Sequence, residues 1–411
     1  MVLGRRCGPP VIWVVVAVLA SAGAPGGTGE ALAPEDRAAL LVDPASPALL
    51  ADPTLRHRVA EGPHDFFRYV NGPFREVLCR RQMANGRPHL DVTLHGDPHV
   101  EQYSVTEEGR GLADFDEATV GPHVLDLVRF ATSLRLAMSE RGWDGADELV
   151  RVFLAGYADA LRNPRHLPPE PRIVGRLRAR FVRNRNDALA RAEGLMEPLP
   201  PDKAPSDETL AHTARLLAQV SGWPEASFKV KRFGAQRMGI GSAGDEKYLF
   251  RIEGKTPSPQ DDVILEVKEV RPAAGGCVHG EAGPDRILKG SSQLAYQAFQ
   301  YAGGITLEGH AYWFHAWTDN YVEVEIRRDL ASLADLTEIA RDVGFQLGRG
   351  HPGLRGGKES KRLRAALLAS LSQEDVAGES RVMAEATTEA WQRYRQRLGE
   401  AGRAPGAPGN Q

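Results

Sequence analysis

The stretch LHGDPHVEQY, residues 94–103, places His95 and His99 on either side of Asp97, and the acidic run ADFDEA, residues 113–118, follows closely. Three readings compete for these residues. On an extended backbone His95, Asp97 and His99 share one face, with Asp114, Asp116 or His123 to complete a metal site for hydrolysis. No third histidine stands at a supporting spacing. Phosphoryl transfer asks for different parts. It needs a carboxylate to orient or deprotonate the acceptor and oxygen ligands to hold Mg2+ against phosphates. It also needs a cationic clamp and backbone amides over the nucleotide. Asp97 on a loop, then Gln102, then Asp114, supply the first two. The third reading is a polar loop with no chemistry.

Around this centre, LDVTL (90–94) alternates as a strand and delivers the chain into HGDPH. GLADF (111–115) reads as a second short strand and its hairpin partner. VLDLVRFATSLRLAM (124–138) reads as a strongly amphipathic helix, with another over 146–162. Upstream, a helical pattern starts near Pro63 and runs to a turn at Asn85-Gly86. A Pro-rich stretch, 163–175, leads to an Arg-rich helix over 176–194, either a solvated face or an anion-binding one. From residue 227 the composition turns to strands. FKVKRFGAQRM and KYLFRI flank GIGSAG (239–244), and VILEVKEV carries Lys268. A helix over 286–301 follows, then strands AYWFHAW and YVEVEI within 311–326, then helices over 331–398. There is no internal repeat.

At 411 residues with 42% hydrophobic and 26% charged, the chain is long enough for two or three domains and is core-forming. A net charge of −3 offers no global attraction for nucleic acid or an anionic membrane. Arg5 and Arg6, the apolar run VIWVVVAVLA (11–20) and a small-x-small site at Ala20-Ser21-Ala22 have the layout of a secretory signal peptide. That predicts export to the periplasm or beyond, with no stable membrane insertion after cleavage; the alternative is an uncleaved anchor. Cys7, Cys79 and Cys277 lack the CxxC spacing of a zinc site. In an oxidising compartment Cys79 and Cys277 can pair, but two separate buried thiols are the simpler expectation.

The combination HGDPHVEQY…LADFDEATVGPHVLDLVRFATSL resembles the catalytic segment of aminoglycoside and choline kinase-like phosphotransferases. With the later GIGSAG turn and the VKE strand, it is more similar to the bacterial DUF2252 family, over roughly residues 65–351. The resemblance implies an α+β, protein-kinase-like two-lobed fold with permuted motif order, the catalytic segment preceding the Gly-rich β lobe. With the segments read above, the chain divides into a signal peptide (1–22), a linker and N-terminal segment (23–55) and a mainly helical lobe (56–225). A β-rich lobe (226–328), C-terminal helices completing the helical lobe (329–400) and a disordered tail (401–411) follow.

It also implies a phosphotransferase using Mg2+ and ATP on a small molecule. Asp97 matches the catalytic aspartate, and His99 matches a family histidine without an assigned role. Asp114, with Gln102 and Asp116, matches the metal ligands. Gly239, Gly241, Ser242 and Gly244 match the phosphate-covering turn, and Lys268 the phosphate clamp. Asp126 matches the aspartate that braces the catalytic loop, though it also reads as a helix cap, as Lys268 reads as a surface lysine. Three positions depart from the pattern: Gln102 replaces asparagine, Lys289 stands where a glutamate would hold Lys268, and Tyr69 stands where glycine is expected. An exported, non-catalytic ligand-binding protein and a His95/Asp97/His99 metal hydrolase are the competing expectations.

Overall fold

The computed structural model describes residues 31–401, apart from 85–88, 108, 200–205, 222–228, 237–245, 273–274, 281, 308 and 354–356. The signal-peptide stretch, 1–22, and the turn residues Gly239, Gly241, Ser242 and Gly244 therefore lie outside the described residues. The fold is α+β. Among the described residues ten strands occur: β1 Asp91–Leu94, β2 Tyr103–Thr106, β3 Arg110–Leu112, β4 Thr119–Pro122, β5 Val230–Ala235, β6 Lys247–Ile252, β7 Val263–Glu269, β8 Gly303–Leu307, β9 His310–Ala316 and β10 Tyr321–Glu323. No described helix is long and apolar enough to cross a membrane.

The helix Val124–Arg141 is the centre of the main core. It is not amphipathic in place but enclosed on nearly every face: from Val124 to Met138 only Arg135 is not buried, and Asp126, Arg129, Thr132 and Ser133 are buried with the apolar residues. Such a helix gains its stability by being surrounded. Gly142, at φ 64, ends it in the left-handed conformation that caps helices. The helices Ala146–Arg162 and Leu333–Gly350 pack against each other closely because small residues face the contact. A Cβ on Gly344 would stand 2.1 Å from the carbonyl of Phe153, and one on Gly156 would stand 2.3 Å from that of Arg341. Ser332 and Asp335 form a capping box at the start of the helix Leu333–Gly350.

The second body of structure is an antiparallel sheet in the order β5-β6-β7-β9-β8. Side-chain alternation gives it two faces. Leu265, Val267, Phe250 and Phe314 form one apolar cluster with Ala214 and Ala218, while Glu266 and Lys268 project from the opposite face of β7. The helix Pro284–Leu294 connects β7 to β8.

The chain departs from its sequence reading in four places. GLADF is not the partner of LDVTL: β1 pairs with β4, and β3 pairs with β2. The HGDPH turn and the following one-turn helix Val100–Gln102 carry the chain away from β1 before extended structure resumes. The Arg-rich helix is two helices, Arg172–Arg178 and Arg185–Gly194, because Asn184 caps the second by accepting from the Asn186 N–H. Arg176, Arg178 and Arg180 are ion-paired to Asp335, Glu170 and Asp329, so carboxylates of other segments serve as their partners. The helix expected to reach residue 301 ends at Leu294, leaving GGITL free to form β8.

The cysteines are the fourth. Cys79, on the helix Asn71–Ala84, and Cys277, beyond β7, form a disulfide across 198 residues with Cα atoms 5.4 Å apart. A pairing at that separation leaves no local spacing signal. Breaking it with Cys79→Ser or with reductant is expected to cost roughly 3 kcal/mol, read as a lower urea midpoint. A change under about 0.5 kcal/mol would show that folding gains nothing from the link.

Candidate active site

The segment after β1 is anchored from the first turn of the helix Val124–Arg141. Asp126, 1% exposed, accepts from the backbone N–H of His95 at 2.7 Å and of Gly96 at 3.0 Å. His351 approaches the same carboxylate through Nε2 at 3.2 Å, and the Tyr157 hydroxyl meets its Nδ1 at 2.9 Å. The network assigns Nε2–H as donor to Asp126 and Tyr157 O–H as donor to Nδ1. Burial lowers the His351 pKa despite Asp126, which is consistent with a neutral ring. Gly96 sits at φ +87, and a Cβ there would stand 2.0 Å from the Glu117 carbonyl, so only glycine fits the turn.

His95 ties two segments together. Its Nε2 donates to the Ala113 carbonyl at 3.0 Å, and the Asp97 N–H donates to its Nδ1 at 3.4 Å. Both ring nitrogens are thereby directed to backbone groups. His99 Nε2 stands 4.0 Å from Asp97, and its Nδ1 has no partner. Among the described residues no group of three or more His, Cys, Asp or Glu is placed to hold a metal ion. Nothing here assembles His95, Asp97 and His99 around one cation.

Asp97 itself is 6% exposed, with Arg129 Nε on its Oδ1 at 2.5 Å. Arg129 lies over the Phe67 ring at 3.9 Å and also bonds the Phe67 carbonyl, so its direction is set by packing. Burial pushes Asp97 up to about 6 even though Arg129 pulls the other way. Burial and the neighbouring arginines push His99 well below its ordinary value, leaving it neutral.

The acidic run is brought to Lys268 of β7. Lys268 Nζ stands 3.0 Å from Asp114 Oδ1, 2.9 Å from Asp116 Oδ2 and 3.6 Å from Glu266. Trp313 Nε1 donates to the second oxygen of Asp116 at 2.7 Å, and the Trp313 ring lies 5.6 Å from the ammonium. Asp114 adopts φ 60, an uncommon conformation for a residue with a side chain. Burial would lower Lys268, but the three carboxylates hold it well above its ordinary value. Burial and the adjacent Asp114 charge push Asp116 up to about 8, while Lys268 keeps Asp114 below the usual carboxylate range against the effect of burial. The side chains of Asp114 and Asp116 are still 28% and 22% exposed, so both are reachable from the cleft.

Sheet register explains the row behind Lys268. Lys247 and Trp313 are its cross-strand neighbours, and His315 is opposite Glu266. Lys247 pairs with Glu266, which His315 also contacts at 3.1 Å. The period-two spacing of Glu266 and Lys268 in LEVKE was a signal for this charged face; the strand partners had none. The expected glutamate is not on the helix Pro284–Leu294, where Lys289 is exposed. That helix instead supplies Arg286, which donates to the carbonyls of Asp116 and Ala118 at 2.6 Å each and holds the acidic turn.

These groups line one cleft of about 1350 Å3 that includes Asp97, His99, Gln102, Asp114, Asp116 and Lys268. Asp126 braces it from below and does not line it. The GIGSAG turn lies outside the described residues, but Gln236 and Lys247, on either side of it, both line the cleft. Sequence reasoning missed Arg129, Glu266, Trp313, His351 and Glu323; Glu323 is a half-buried carboxyl bonded by Tyr321, and desolvation raises its pKa.

Gln102 tests the fit of a metal. Its Oε1 is buried without a partner, while its carbonyl accepts from the Ala113 N–H at 3.1 Å, beside Asp114. A free amide oxygen in the same cleft as the half-buried carboxylates of Asp114 and Asp116 suits Mg2+, which takes few protein oxygens and completes its shell with phosphate and water.

The family model described as an uncharacterized protein conserved in bacteria (DUF2252) matches residues 51–199 and 202–401. The chain belongs to that family. No curated protein and no solved structure matches it.

Proposed function

We propose that this member of the DUF2252 family is a phosphotransferase using Mg2+ and a nucleotide such as ATP to act on a small molecule, on a kinase-like, two-lobed body of permuted order. The observation that carries the reading is the meeting of Lys268 with Asp114 and Asp116, which lie 154 and 152 residues away in sequence. A strand lysine beside a metal-type aspartate is the pairing a phosphate clamp requires. The sheet supports it. The glycine-bearing connection joins β5 to β6, the lysine is on the third strand, and a helix follows, which is the order of parts in a kinase nucleotide lobe. In place of the helix glutamate, Asp116 and Glu266 brace Lys268.

In this reading Asp97, aimed by Arg129, orients the acceptor and takes its proton. Asp114, Gln102 and Asp116 would hold Mg2+, which when bound supplies charge neutralisation for the transferring phosphoryl group. Lys268 keeps a cation against the phosphates. The Cys79–Cys277 disulfide supports export, in line with the leader at residues 1–22. Gln102, one methylene longer than asparagine, favours the second reading, an exported protein that binds such a ligand without turnover.

Adding Mg-ATP at saturating concentration is expected to raise the melting temperature by about 2–5 °C, an increase lost in Asp114→Ala. No shift in either protein removes the nucleotide reading. A shift without phosphoryl transfer to any acceptor leaves the binding protein.

A further inference from the structure

The cleft extends past Asp97 to a wall that the nucleotide reading does not use. Arg68, Tyr69, Asn71, Gly72 and Arg75 line it from the helices Pro63–Tyr69 and Asn71–Ala84. Arg75 is 4% exposed and Asn71 9%, yet Arg75 Nε and Asn71 Oδ1 have no partner. Arg68 Nε and His99 Nδ1 are unpartnered as well. Each arginine gives one nitrogen to one carboxylate, Arg68 to Glu101 at 2.8 Å and Arg75 to Glu117 at 3.0 Å. The Glu117 side chain is 42% exposed, so water can replace Arg75 as its partner.

Buried polar atoms without partners, on side chains that line a cleft, mark where a polar ligand completes the set once those side chains turn toward it. The guanidinium fork matches the paired oxygens of a phosphate or carboxylate. Asn71 Oδ1 is an acceptor and suits a hydroxyl. Room exists beside them, because a Cβ on Gly72 would meet nothing within 4 Å.

We infer that this wall is the acceptor subsite, and that the acceptor is a hydroxylated small molecule carrying a phosphate or carboxylate. Its anion sits on Arg75 and Arg68, and a hydroxyl faces Asp97. The identity of that hydroxyl as the phosphorylated group rests on the phosphotransferase reading, whereas the anion subsite stands on these residues alone.

The test is a thermal-shift titration of the full chain with glucose 6-phosphate, gluconate and glucose. Either or both anions are expected to stabilise the protein and glucose is not; which anion acts identifies the charged group. Arg75→Gln and Gly72→Leu are expected to weaken anion binding at least tenfold, Arg75→Lys less, and Lys268→Met less than twofold. Stabilisation by Mg-ATP is unchanged in Gly72→Leu. Equal stabilisation by glucose, or none by either anion, overturns the inference. So does loss of anion binding in Lys268→Met with retention in Arg75→Gln, which would put the anions at the lysine. If the anion pattern holds while Mg-ATP stabilises nothing, the nucleotide reading fails and the anion subsite stands.

Discussion

Asp126→Ala is expected to destabilise the protein by about 4 kcal/mol, measured by urea denaturation. The carboxylate is fully enclosed and accepts from two backbone N–H groups and the His351 ring. Truncation leaves three donors buried without an acceptor, and each costs roughly 1–3 kcal/mol. The site cannot relax easily: Gly96 has no space for movement toward Glu117, and His351 is held at its other nitrogen by Tyr157. Asp126→Asn keeps the shape but turns one acceptor into a donor facing an N–H, so it is expected to recover less than half of the loss. The segment 95–97 hangs from this carboxylate, and Mg-ATP-dependent transfer is expected to fall with stability. A loss below about 1 kcal/mol for the alanine variant would mean that Asp126 is an ordinary helix cap.

On the phosphotransferase reading proposed above, Asp97→Asn is expected to reduce phosphoryl transfer roughly 10^3-fold while leaving Mg-ATP stabilisation intact, because a positioned general base contributes about 10^2–10^4. Burial has raised the Asp97 carboxyl to about 6. The ionised form is the one able to take a proton, so the rate should fall as pH drops through about 6 and level off above it. That limb should vanish from the residual activity of Asp97→Asn. Arg129→Lys gives the complementary test. It keeps a cation but loses the guanidinium stacked over Phe67, and lower transfer with unchanged nucleotide stabilisation is expected. Wild-type transfer with no acid limb near 6, or an asparagine variant within tenfold of wild type, would remove Asp97 from the chemistry.

Much of the local architecture was legible. The helix Val124–Arg141 follows from apolar residues at helical spacing, though its enclosure on all sides does not, and the strand β7 was legible as a strand. Alternation also predicts that Glu266 shares the face of Lys268. The hairpin assigned to GLADF was misread because its three strand residues carry too little pattern to name a partner, and register is decided by neighbours. The helix glutamate was sought on the wrong element: Asp114 and Asp116 of the acidic turn, and Glu266 of the same strand, reach Lys268 instead.

The sequence alone determined the α+β class, the places of the helices Val124–Arg141 and Ala146–Arg162, the loop that bears Asp97 and, through its motifs, the family to which the chain belongs. The elements depend on periodicity and turn chemistry within a few residues of one another, whereas the family follows from the resemblance of the combined motifs. Only the tertiary structure decided that Lys268 lies between Asp114 and Asp116, that Cys79 meets Cys277, and that Arg75 and Asn71 keep buried polar atoms unpartnered beside Asp97. Those facts join positions far apart along the chain. Their energies arise from burial and from the partners that packing supplies, and neither is encoded in the spacing of neighbouring residues.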